Sequence, residues 1–249
     1  MNRWENRVAV VTGASSGIGA AIVIDLIKAK MIVVGLARRL DRMEKLREEL
    51  PTDLKSNFHY LKCDVSNEEN VKNCFQWINE NLGGTDVLVN NAGCLKYGTL
   101  SNDLTSDEIR NCLNTNVMGI VYCTKEAFKS MKERDFNGHV ILINSLSGQM
   151  PINLPGISLN IYAPTKYAVT ALTETYRQEF RDLKTKIKIT SISPAGTDTE
   201  IIPEEWKKHG DLNDLLRPSD IAEAVLYTLG TGPNCQVHEI TIKPLGSAC

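Results

Sequence analysis

The sequence lacks an excess of charge of either sign, because its 28 Lys and Arg residues nearly balance its 30 Asp and Glu residues. Proteins that bind nucleic acids usually carry a basic excess, so this balance argues against that class of partner. With 42% hydrophobic and 23% charged residues, the composition also excludes a disordered chain, a collagen and a coiled coil. A chain of 249 residues with this composition can bury a substantial core without disulfides or metals.

Long apolar runs are also missing. Residues Met1 to Arg7 lead directly into a short apolar run, Val8 to Val11, which is shorter than the hydrophobic region of a secretory signal. No other segment approaches the ~20 apolar residues that a membrane span needs. We therefore expect a cytoplasmic protein without a membrane span.

Paired cysteines and clustered histidines, which would indicate disulfides or zinc, are absent as well. The seven cysteines are an odd number for a disulfide framework, they are scattered singly, and no Cys-x-x-Cys motif occurs. The four histidines are isolated and lack the spacing of metal ligands. We expect free thiols in a reducing compartment and no metal site.

What the sequence does contain is an alternation of short β-branched runs with longer amphipathic segments. Strands are predicted at Val8–Thr12, Ile32–Leu36, His59–Lys62, Val87–Val89, Val140–Ile143, Ile187–Ile192 and Val237–Ile242. Helices are predicted at 17–29, 41–50, 67–82, 105–133, 160–183 and 218–229. This order favours right-handed crossovers and a parallel sheet covered on both faces. Because no linker or repeat divides the chain, we predict one α/β domain over residues 1–249, a doubly wound Rossmann fold with seven strands.

Two segments, at about 149–160 and 194–217, show no clear periodicity. The first holds two prolines, and the second holds two prolines and two glycines. Both follow predicted strands, so they are expected at the end of the sheet where ligands of α/β proteins bind. We predict that both segments are loops beside a substrate site.

A glycine-rich turn, Thr12-Gly13-Ala14-Ser15-Ser16-Gly17-Ile18-Gly19, joins the first predicted strand to the first predicted helix. Glycines allow a tight turn and the close approach of a pyrophosphate to the backbone, while the helix N-terminus supplies free N–H groups. The alternative is a plain turn without a ligand. The candidate cofactor-binding residues of this turn are Gly13, Ser15, Ser16, Gly17, Ile18 and Gly19.

Three motifs in this order make the chain similar to the classical short-chain dehydrogenases/reductases. They are the glycine turn, Asn90-Asn91-Ala92-Gly93 and Tyr162-x-x-x-Lys166. The resemblance covers nearly the whole chain. Within the family, residues 35–39, 172–175 and 237–244 look most like the insect farnesol dehydrogenases and related NADP-dependent reductases. The resemblance implies a Rossmann-fold oxidoreductase that uses a nicotinamide cofactor.

The end of the second predicted strand indicates which nicotinamide cofactor is used. No acidic residue at positions 36–40 is available to hold the ribose hydroxyls of NAD. The guanidinium forks of Arg38 and Arg39 instead suit a 2′-phosphate. We predict NADP(H), with Arg38 on the phosphate and Arg39 available to stack on the adenine. A solvated basic turn and an NAD-dependent enzyme are the alternatives.

The resemblance implies further cofactor contacts. Asp64 matches the adenine-binding residue of the family, and the alternative is a polar residue before a helix that needs no ligand. After the sixth predicted strand, Ala195 stands where the family has a glycine, and Thr197 and Thr199 remain available for the carboxamide and the phosphates. The remaining candidate cofactor-binding residues are Val65, Asn91, Ala92, Gly93, Tyr162, Lys166, Pro194 and Gly196.

The pair Tyr162 and Lys166 carries the predicted proton chemistry. A spacing of four residues places both side chains on one helix face. A phenol is a poor base near neutral pH, and we expect the Lys166 ammonium to lower the pKa of Tyr162. Tyr162 could then exchange a proton with a substrate alcohol or carbonyl oxygen. The resemblance implies that Lys166 also holds the nicotinamide ribose.

Two further catalytic candidates come from the resemblance. Ser145 matches the serine that hydrogen-bonds the reacting oxygen, and Ser147 is its rival. Asn116, inside the predicted helix 105–133, matches the asparagine that anchors a proton-relay water. Because asparagine is unfavourable within a helix, Asn116 needs some compensating role, and a buried side chain that bonds the backbone is the alternative.

The candidate substrate residues indicate an uncharged ligand. They are Ser145, Met150, Leu154, Tyr162, Ile202 and Trp206, most of which are apolar. No Arg, Lys or His lies between Gln149 and Tyr162, and residues 207–209 are expected to face water. We predict an apolar alcohol and its aldehyde or ketone, with a farnesol-like isoprenoid alcohol favoured over a hydroxysteroid or other carbonyl compound. A non-catalytic NADP(H) sensor is the alternative, but a sensor could have lost Ser145, Tyr162 or Lys166, and all three are present.

An apolar stripe on the predicted helix 160–183 bears on assembly. Val169, Leu172, Tyr176 and Phe180 recur at helical spacing. The resemblance implies that such a face forms a four-helix bundle in a homodimer or homotetramer. Ordinary core packing against the sheet is the competing interpretation.

Overall fold

The strands of the computed structural model are β1 (Val8–Thr12), β2 (Ile32–Ala37), β3 (Phe58–Lys62), β4 (Val87–Asn90), β5 (His139–Ile143), β6 (Lys188–Pro194) and β7 (Glu239–Ile242). The structure describes residues 1–150, 152, 158–207 and 215–246, except the side chains of residues 205 and 206. The strands form one parallel sheet in the order β3-β2-β1-β4-β5-β6-β7. This order confirms the predicted doubly wound Rossmann sheet of a single domain.

The direction in which successive strands are added to the sheet reverses between β1 and β4. In α/β proteins, ligands commonly bind at such a reversal. β1 pairs with β2 on one side and with β4 on the other. The crossovers that leave the two strands run in opposite directions, so a crevice opens outside their carboxyl ends. Every residue of β1, β5 and β6 is buried, as expected for strands covered on both faces.

The helices are α1 (Gly17–Lys28), α2 (Leu40–Glu49), α3 (Glu68–Leu82), α4 (Ser106–Leu113), α5 (Gly119–Glu133), α6 (Tyr162–Asp182), α7 (Glu204–Lys207) and α8 (Pro218–Gly230). On one face of the sheet, Ile22 and Leu26 of α1 lie in one buried cluster with Ile221 and Val225 of α8. All four side chains are almost completely excluded from solvent, and such burial stabilises the fold by about 1.5–3 kcal/mol per side chain.

The opposite face of the sheet is covered by α3, α5 and α6. Val169 and Phe180 of α6 are buried there, and Leu172 and Tyr176 pack against the same cluster. The ring of Phe180 stacks on Phe128 of α5 with 4.7 Å between ring centroids. The apolar stripe of α6 therefore packs against other parts of the same chain, as the core-packing interpretation predicted.

The predicted helix 105–133 is present, but it contains a π-helical turn near its middle. α4 begins with a capping box in which Thr105 and Glu108 satisfy each other's backbone N–H groups. Asn114–Met118 then form a π-helical turn before α5 begins. Such turns carry one extra residue and occur often at functional sites. The buried residue Asn116 lies within this turn.

Other differences from the sequence prediction are small. β7 begins at Glu239, later than predicted, and the predicted loop 194–217 contains the short helix α7. Residues 151, 153–157 and 208–214 of the two predicted loops lie outside the described residues. Among the helices of the described ranges, none combines the length and the hydropathy that crossing a bilayer requires.

Candidate active site

A cavity of about 590 Å³ opens at the carboxyl ends of the strands, which is a volume typical of small-molecule sites. Its lining includes most of the residues that the sequence singled out as candidates. These are Gly13, Ser15, Ser16, Gly17, Ile18, Arg38, Arg39, Asp64, Val65, Asn91, Ala92, Gly93, Ser145, Tyr162, Lys166, Pro194, Gly196, Thr197, Thr199 and Ile202. Residues that are distant in sequence thus meet in one place.

Some of the candidates that the structure describes do not line this cavity. Gly19 lies beneath the turn, where a Cβ atom would come within 2.3 Å of the Gly13 carbonyl oxygen. Met150 is 43% exposed and lies outside the lining. Leu154 and the side chain of Trp206 lie outside the described residues.

Hydrogen bonds from Asn91, the residue after β4, fix the conformation of the glycine turn. The Asn91 side-chain amide donates to the carbonyl oxygens of Thr12 at 2.9 Å and Gly13 at 3.3 Å. Gly13 has a φ of +67°, and a Cβ atom there would come within 2.9 Å of the Ala92 Cα atom. Only glycine satisfies both the left-handed backbone and this close approach.

The N-terminus of α1 follows this turn and is suited to an anion. Its N-cap residue, Ser16, makes no side-chain hydrogen bond to the first-turn N–H groups. Uncapped N–H groups and the helix dipole together favour a phosphate group. The glycine turn and this helix end therefore fit the pyrophosphate of a dinucleotide.

The turn after β2 supplies positive charge beside this helix end. Arg38 lines the cavity, and Arg39 donates to the Ser16 hydroxyl at 2.8 Å and to Glu200 at 3.0 Å. Arg42 of α2 contacts the same carboxylate. Two guanidiniums next to a pyrophosphate cradle fit the 2′-phosphate of NADP(H). Arg39 lines the cavity together with these polar partners, and its stacking on the adenine stays a prediction.

The sequence signal for these contacts was incomplete. Arg42 lies on the predicted helix 41–50, but the sequence prediction did not include it among the site residues. Nothing in the sequence predicted the contact of Glu200 with these arginines, because the folded loop after β6 brings its carboxylate next to them. Asp64 lines the cavity, and its carboxylate accepts bonds from the Ser66 N–H at 3.0 Å and hydroxyl at 2.7 Å.

The opposite end of the cavity holds Ser145, Tyr162 and Lys166. Ser145 lies two residues after the end of β5, and its hydroxyl accepts a hydrogen bond from the Ser147 N–H at 3.1 Å. Tyr162 is the first residue of α6, so Lys166 lies one turn further along the same helix face. The Lys166 amine is 5.6 Å from the centre of the Tyr162 ring and donates to the Ile143 carbonyl oxygen at 2.9 Å.

Burial controls the ionisation of this pair. It raises the pKa of Tyr162 to about 12, while a hydrogen bond with Ser145 acts in the opposite direction. It lowers the pKa of Lys166 to about 8. The expectation that Lys166 would lower the pKa of Tyr162 is therefore wrong for this structure. The cost of desolvating a phenolate outweighs the attraction of an amine whose own charge is disfavoured by burial.

Asn116 lies next to the site without lining the cavity. Its side-chain amide donates to the Cys94 carbonyl oxygen at 2.9 Å and to the Thr165 hydroxyl at 3.0 Å. Its carbonyl oxygen accepts from the Cys94 N–H at 2.8 Å. Asn116 therefore joins the loop after β4 to the first turn of α6, as a buried side chain that bonds the backbone.

Two contacts that the sequence did not reveal connect the loops around the cavity. The Tyr97 hydroxyl donates to the Ile201 carbonyl oxygen at 2.6 Å. The Asn160 side-chain amide donates to the carbonyl oxygens of Lys96 at 2.6 Å and Gly98 at 3.1 Å. Asn160 has a φ of +37°, a conformation that asparagine tolerates better than most residues.

The prediction that residues 207–209 face water is wrong for Lys207. Its side chain is 18% exposed and pairs with Asp198 at 2.7 Å and with Glu204 at 2.6 Å. The two carboxylates draw the ammonium onto the loop that precedes α7. Residues 208 and 209 lie outside the described residues.

Lys166 generates a prediction about stability and pH. Its pKa is about 8 in the folded protein and 10.5 ordinarily, so between these values only the unfolded chain holds the proton. Stability therefore rises with pH through this window, relative to a variant that lacks the amine. We predict that the unfolding free energy of the wild type increases relative to that of Lys166→Met as the pH rises above about 8. Urea denaturation of both proteins at several pH values measures this difference, and parallel curves would contradict the assignment.

Comparison with known proteins agrees with the geometry. The family model described as short chain dehydrogenase matches residues 7–210. Farnesol dehydrogenase of Aedes aegypti is 52% identical over 246 residues, which cover 99% of this chain and 99% of that protein. Dehydrogenase/reductase SDR family member 11 of Homo sapiens is 40% identical over 253 residues, covering 98% and 96% of the two chains.

Solved structures show the same fold. The closed form of serine dehydrogenase complexed with NADP+ is 25% identical with a TM-score of 0.86, covering 97% of this chain and 96% of that chain. The alcohol dehydrogenase of the archaeon Thermococcus sibiricus complexed with 5-hydroxy-NADP is 29% identical with a TM-score of 0.81, covering 95% of each chain. The chain belongs to the short chain dehydrogenase family.

Proposed function

We propose that this protein is an NADP(H)-dependent oxidoreductase that interconverts an apolar alcohol and its aldehyde or ketone. The observation that carries the proposal is the continuity of one cavity. Its lining joins the glycine turn and Arg38 at one end to Ser145, Tyr162 and Lys166 at the other. A dinucleotide in this groove would bring its reactive ring to the tyrosine. The NADP(H) named with the similar alcohol and serine dehydrogenases supports the same cofactor.

Different residues of the groove would bind different parts of the cofactor. The glycine turn and the N-terminus of α1 would bind the pyrophosphate, and Arg38 would bind the 2′-phosphate. Lys166 would hold the nicotinamide ribose, and Thr197 and Thr199 would reach the carboxamide and the phosphates. When bound, the nicotinamide supplies or accepts the hydride at the substrate carbon.

Tyr162 and Ser145 handle the substrate oxygen in this proposal. Because the pKa of Tyr162 is raised to about 12, its phenol carries the proton near neutral pH. A protonated phenol is suited to donate to the oxygen of a carbonyl that is being reduced. The Ser145 hydroxyl, already hydrogen-bonded to Tyr162, would position that oxygen. Asn116 would act through Cys94 and Thr165, by fixing the start of α6.

The substrate is proposed from the apolar wall beside Tyr162. The segments after β4, β5 and β6 contribute the described apolar lining residues Leu95, Leu146, Ile152, Leu159, Ile201, Ile202 and Leu215. Lys96 also lines the cavity, but its amine lies 4.0 Å from the Glu108 carboxylate. The wall supports an uncharged, largely apolar alcohol or carbonyl compound. The similarity to the farnesol dehydrogenase of Aedes aegypti supports an isoprenoid alcohol as the first candidate substrate.

We further propose that the enzyme works in the cytoplasm as a homodimer or homotetramer. The described cysteines are free, which is usual in reducing compartments. Tyr227 of α8 is 64% exposed and Tyr167 of α6 is 43% exposed, and exposed aromatic residues are common at interfaces between subunits.

Substitution of the tyrosine tests the proposed chemistry. In Tyr162→Phe, turnover should fall by about 10²–10⁴-fold, because the proton donor is lost. The NADPH dissociation constant should change by less than about twofold, because the phenol acts on the substrate oxygen. Tyr167→Phe is the matched control, since Tyr167 is an exposed tyrosine of the same helix. Retention of more than about a tenth of the activity by Tyr162→Phe would rule out this role.

A series of alcohols tests the proposed substrate class. Each buried CH₂ group contributes about 0.8 kcal/mol, so kcat/KM should rise several-fold per methylene until the pocket is full. Ile202→Ala should flatten this dependence while leaving NADPH affinity unchanged. Leu183→Ala, at an exposed residue that does not line the cavity, is the control. Faster turnover of small polar sugars or of hydroxysteroids than of isoprenoid alcohols would contradict the isoprenoid assignment.

A further inference from the structure

The carboxylate of Glu200 reaches across the phosphate end of the cavity. It lies on the loop after β6, and one of its oxygens is 3.0 Å from the Arg39 guanidinium. Its other oxygen contacts Arg42 of α2. Hydrogen bonds from Arg42 and Arg39 hold the pKa of Glu200 below its usual value, so the carboxylate is ionised near neutral pH.

Glu200 distinguishes Arg39 from its neighbour Arg38. Arg39 is fixed on both sides, because it also donates to the hydroxyls of Ser15 and Ser16 in the glycine turn. Arg38 lines the same cavity, and among the residues that the structure describes its guanidinium has no acidic partner. Among the described residues, Arg38 therefore has no acidic partner, whereas Arg39 shares the Glu200 carboxylate with Arg42.

We propose that Glu200 is a specificity-determining residue that weakens the binding of the 2′-phosphate of NADP(H), because it occupies guanidiniums that the phosphate would otherwise engage. The inference rests on the proposed cofactor. Carboxylate and phosphate bind the same planar fork of an arginine, so the two anions compete for Arg39. If Glu200 stays in place when the phosphate binds, two negative groups lie close together and repel each other.

Displacement of Glu200 is energetically feasible. The side chains of Glu200, Arg39 and Arg42 are 55%, 43% and 40% exposed, respectively. Exposed ion pairs are screened by water and contribute little to stability. A phosphate of higher charge can therefore replace the carboxylate, and the energy needed to release Glu200 is subtracted from the affinity for NADP(H).

A different role for Glu200 predicts the opposite result. If its ion pairs with Arg39 and Arg42 closed over a bound dinucleotide as a strap, removing the carboxylate would speed release and weaken binding. The direction of the change in NADPH affinity therefore separates competition from closure.

The experiment is a fluorescence titration of the intact wild type and Glu200→Gln with NADPH and with NADH at low ionic strength. The NADPH dissociation constant of Glu200→Gln should be about three- to tenfold lower than that of the wild type. The NADH dissociation constant should change by less than about twofold, because NADH has no 2′-phosphate. Glu204→Gln is the matched control, since Glu204 is an exposed acid nearby that pairs with Lys207 instead. Its NADPH affinity should equal that of the wild type.

Unchanged or weakened NADPH binding by Glu200→Gln would overturn the inference. Arg38→Ala separates that failure from a failure of the proposed cofactor. In Arg38→Ala, NADPH affinity should fall by about ten- to a hundredfold, while NADH affinity is retained. If the wild type binds NADPH and NADH equally and Arg38→Ala changes neither, the NADP(H) assignment is wrong and the role of Glu200 is lost with it.

Discussion

The hydrogen bonds between Thr12 and Asn91 join the carboxyl ends of β1 and β4, the two strands at which the order of the sheet reverses. The Thr12 hydroxyl accepts from the N–H groups of Asn91 at 2.9 Å and Ala92 at 3.0 Å, and the Asn91 amide returns to the Thr12 carbonyl oxygen at 2.9 Å. These bonds fix the glycine turn against the neighbouring strand. Because every strand is parallel, the carboxyl ends of β5 and β6 lie along the same edge of the sheet as those of β1 and β4. The segments that leave these ends bring the candidate catalytic residues to the same cavity.

Burial is the second constraint, and it favours one protonation state at the candidate centre. A phenol with a raised pKa and an amine with a lowered pKa are both driven toward their neutral forms. A neutral Tyr162 can donate a proton to a carbonyl oxygen without prior ionisation. In the proposed mechanism this protonation state matches the proton donor that carbonyl reduction would use, whereas alcohol oxidation would use the phenolate. Bound cofactor would add its own charge to this balance.

The fold and the main motifs were predictable from the sequence because they depend on local patterns. Short β-branched runs, the glycine turn and the spacing of Tyr162 and Lys166 each carry their own signal. The π-helical turn at Asn114–Met118 carried none, since its irregularity accompanies contacts between Asn116 and residues far away in the sequence. The sign of the pKa shift of Tyr162 was not readable for a related reason, because burial is a property of the packed fold.

Contacts between exposed loops were the least predictable part. Glu200 and Arg39 are separated by 161 residues, and nothing in either local sequence pairs them. The same holds for Tyr97 and the Ile201 carbonyl oxygen, which are separated by 104 residues. Each of these pairs depends on how two loops cross the mouth of the cavity. Composition and periodicity predict helices and strands, but they do not predict which loops contact each other.

The central claim is that one cavity brings NADP(H) and an apolar carbonyl compound into direct contact. Single-turnover transfer from NADPH that carries deuterium at both positions of the nicotinamide C4 to a fifteen-carbon isoprenoid aldehyde tests this claim most directly. The account predicts an alcohol with deuterium at its carbinol carbon, formed in equal amount to the NADPH oxidised. Alcohol without deuterium, or no more alcohol than the Tyr162→Phe protein forms, would contradict it.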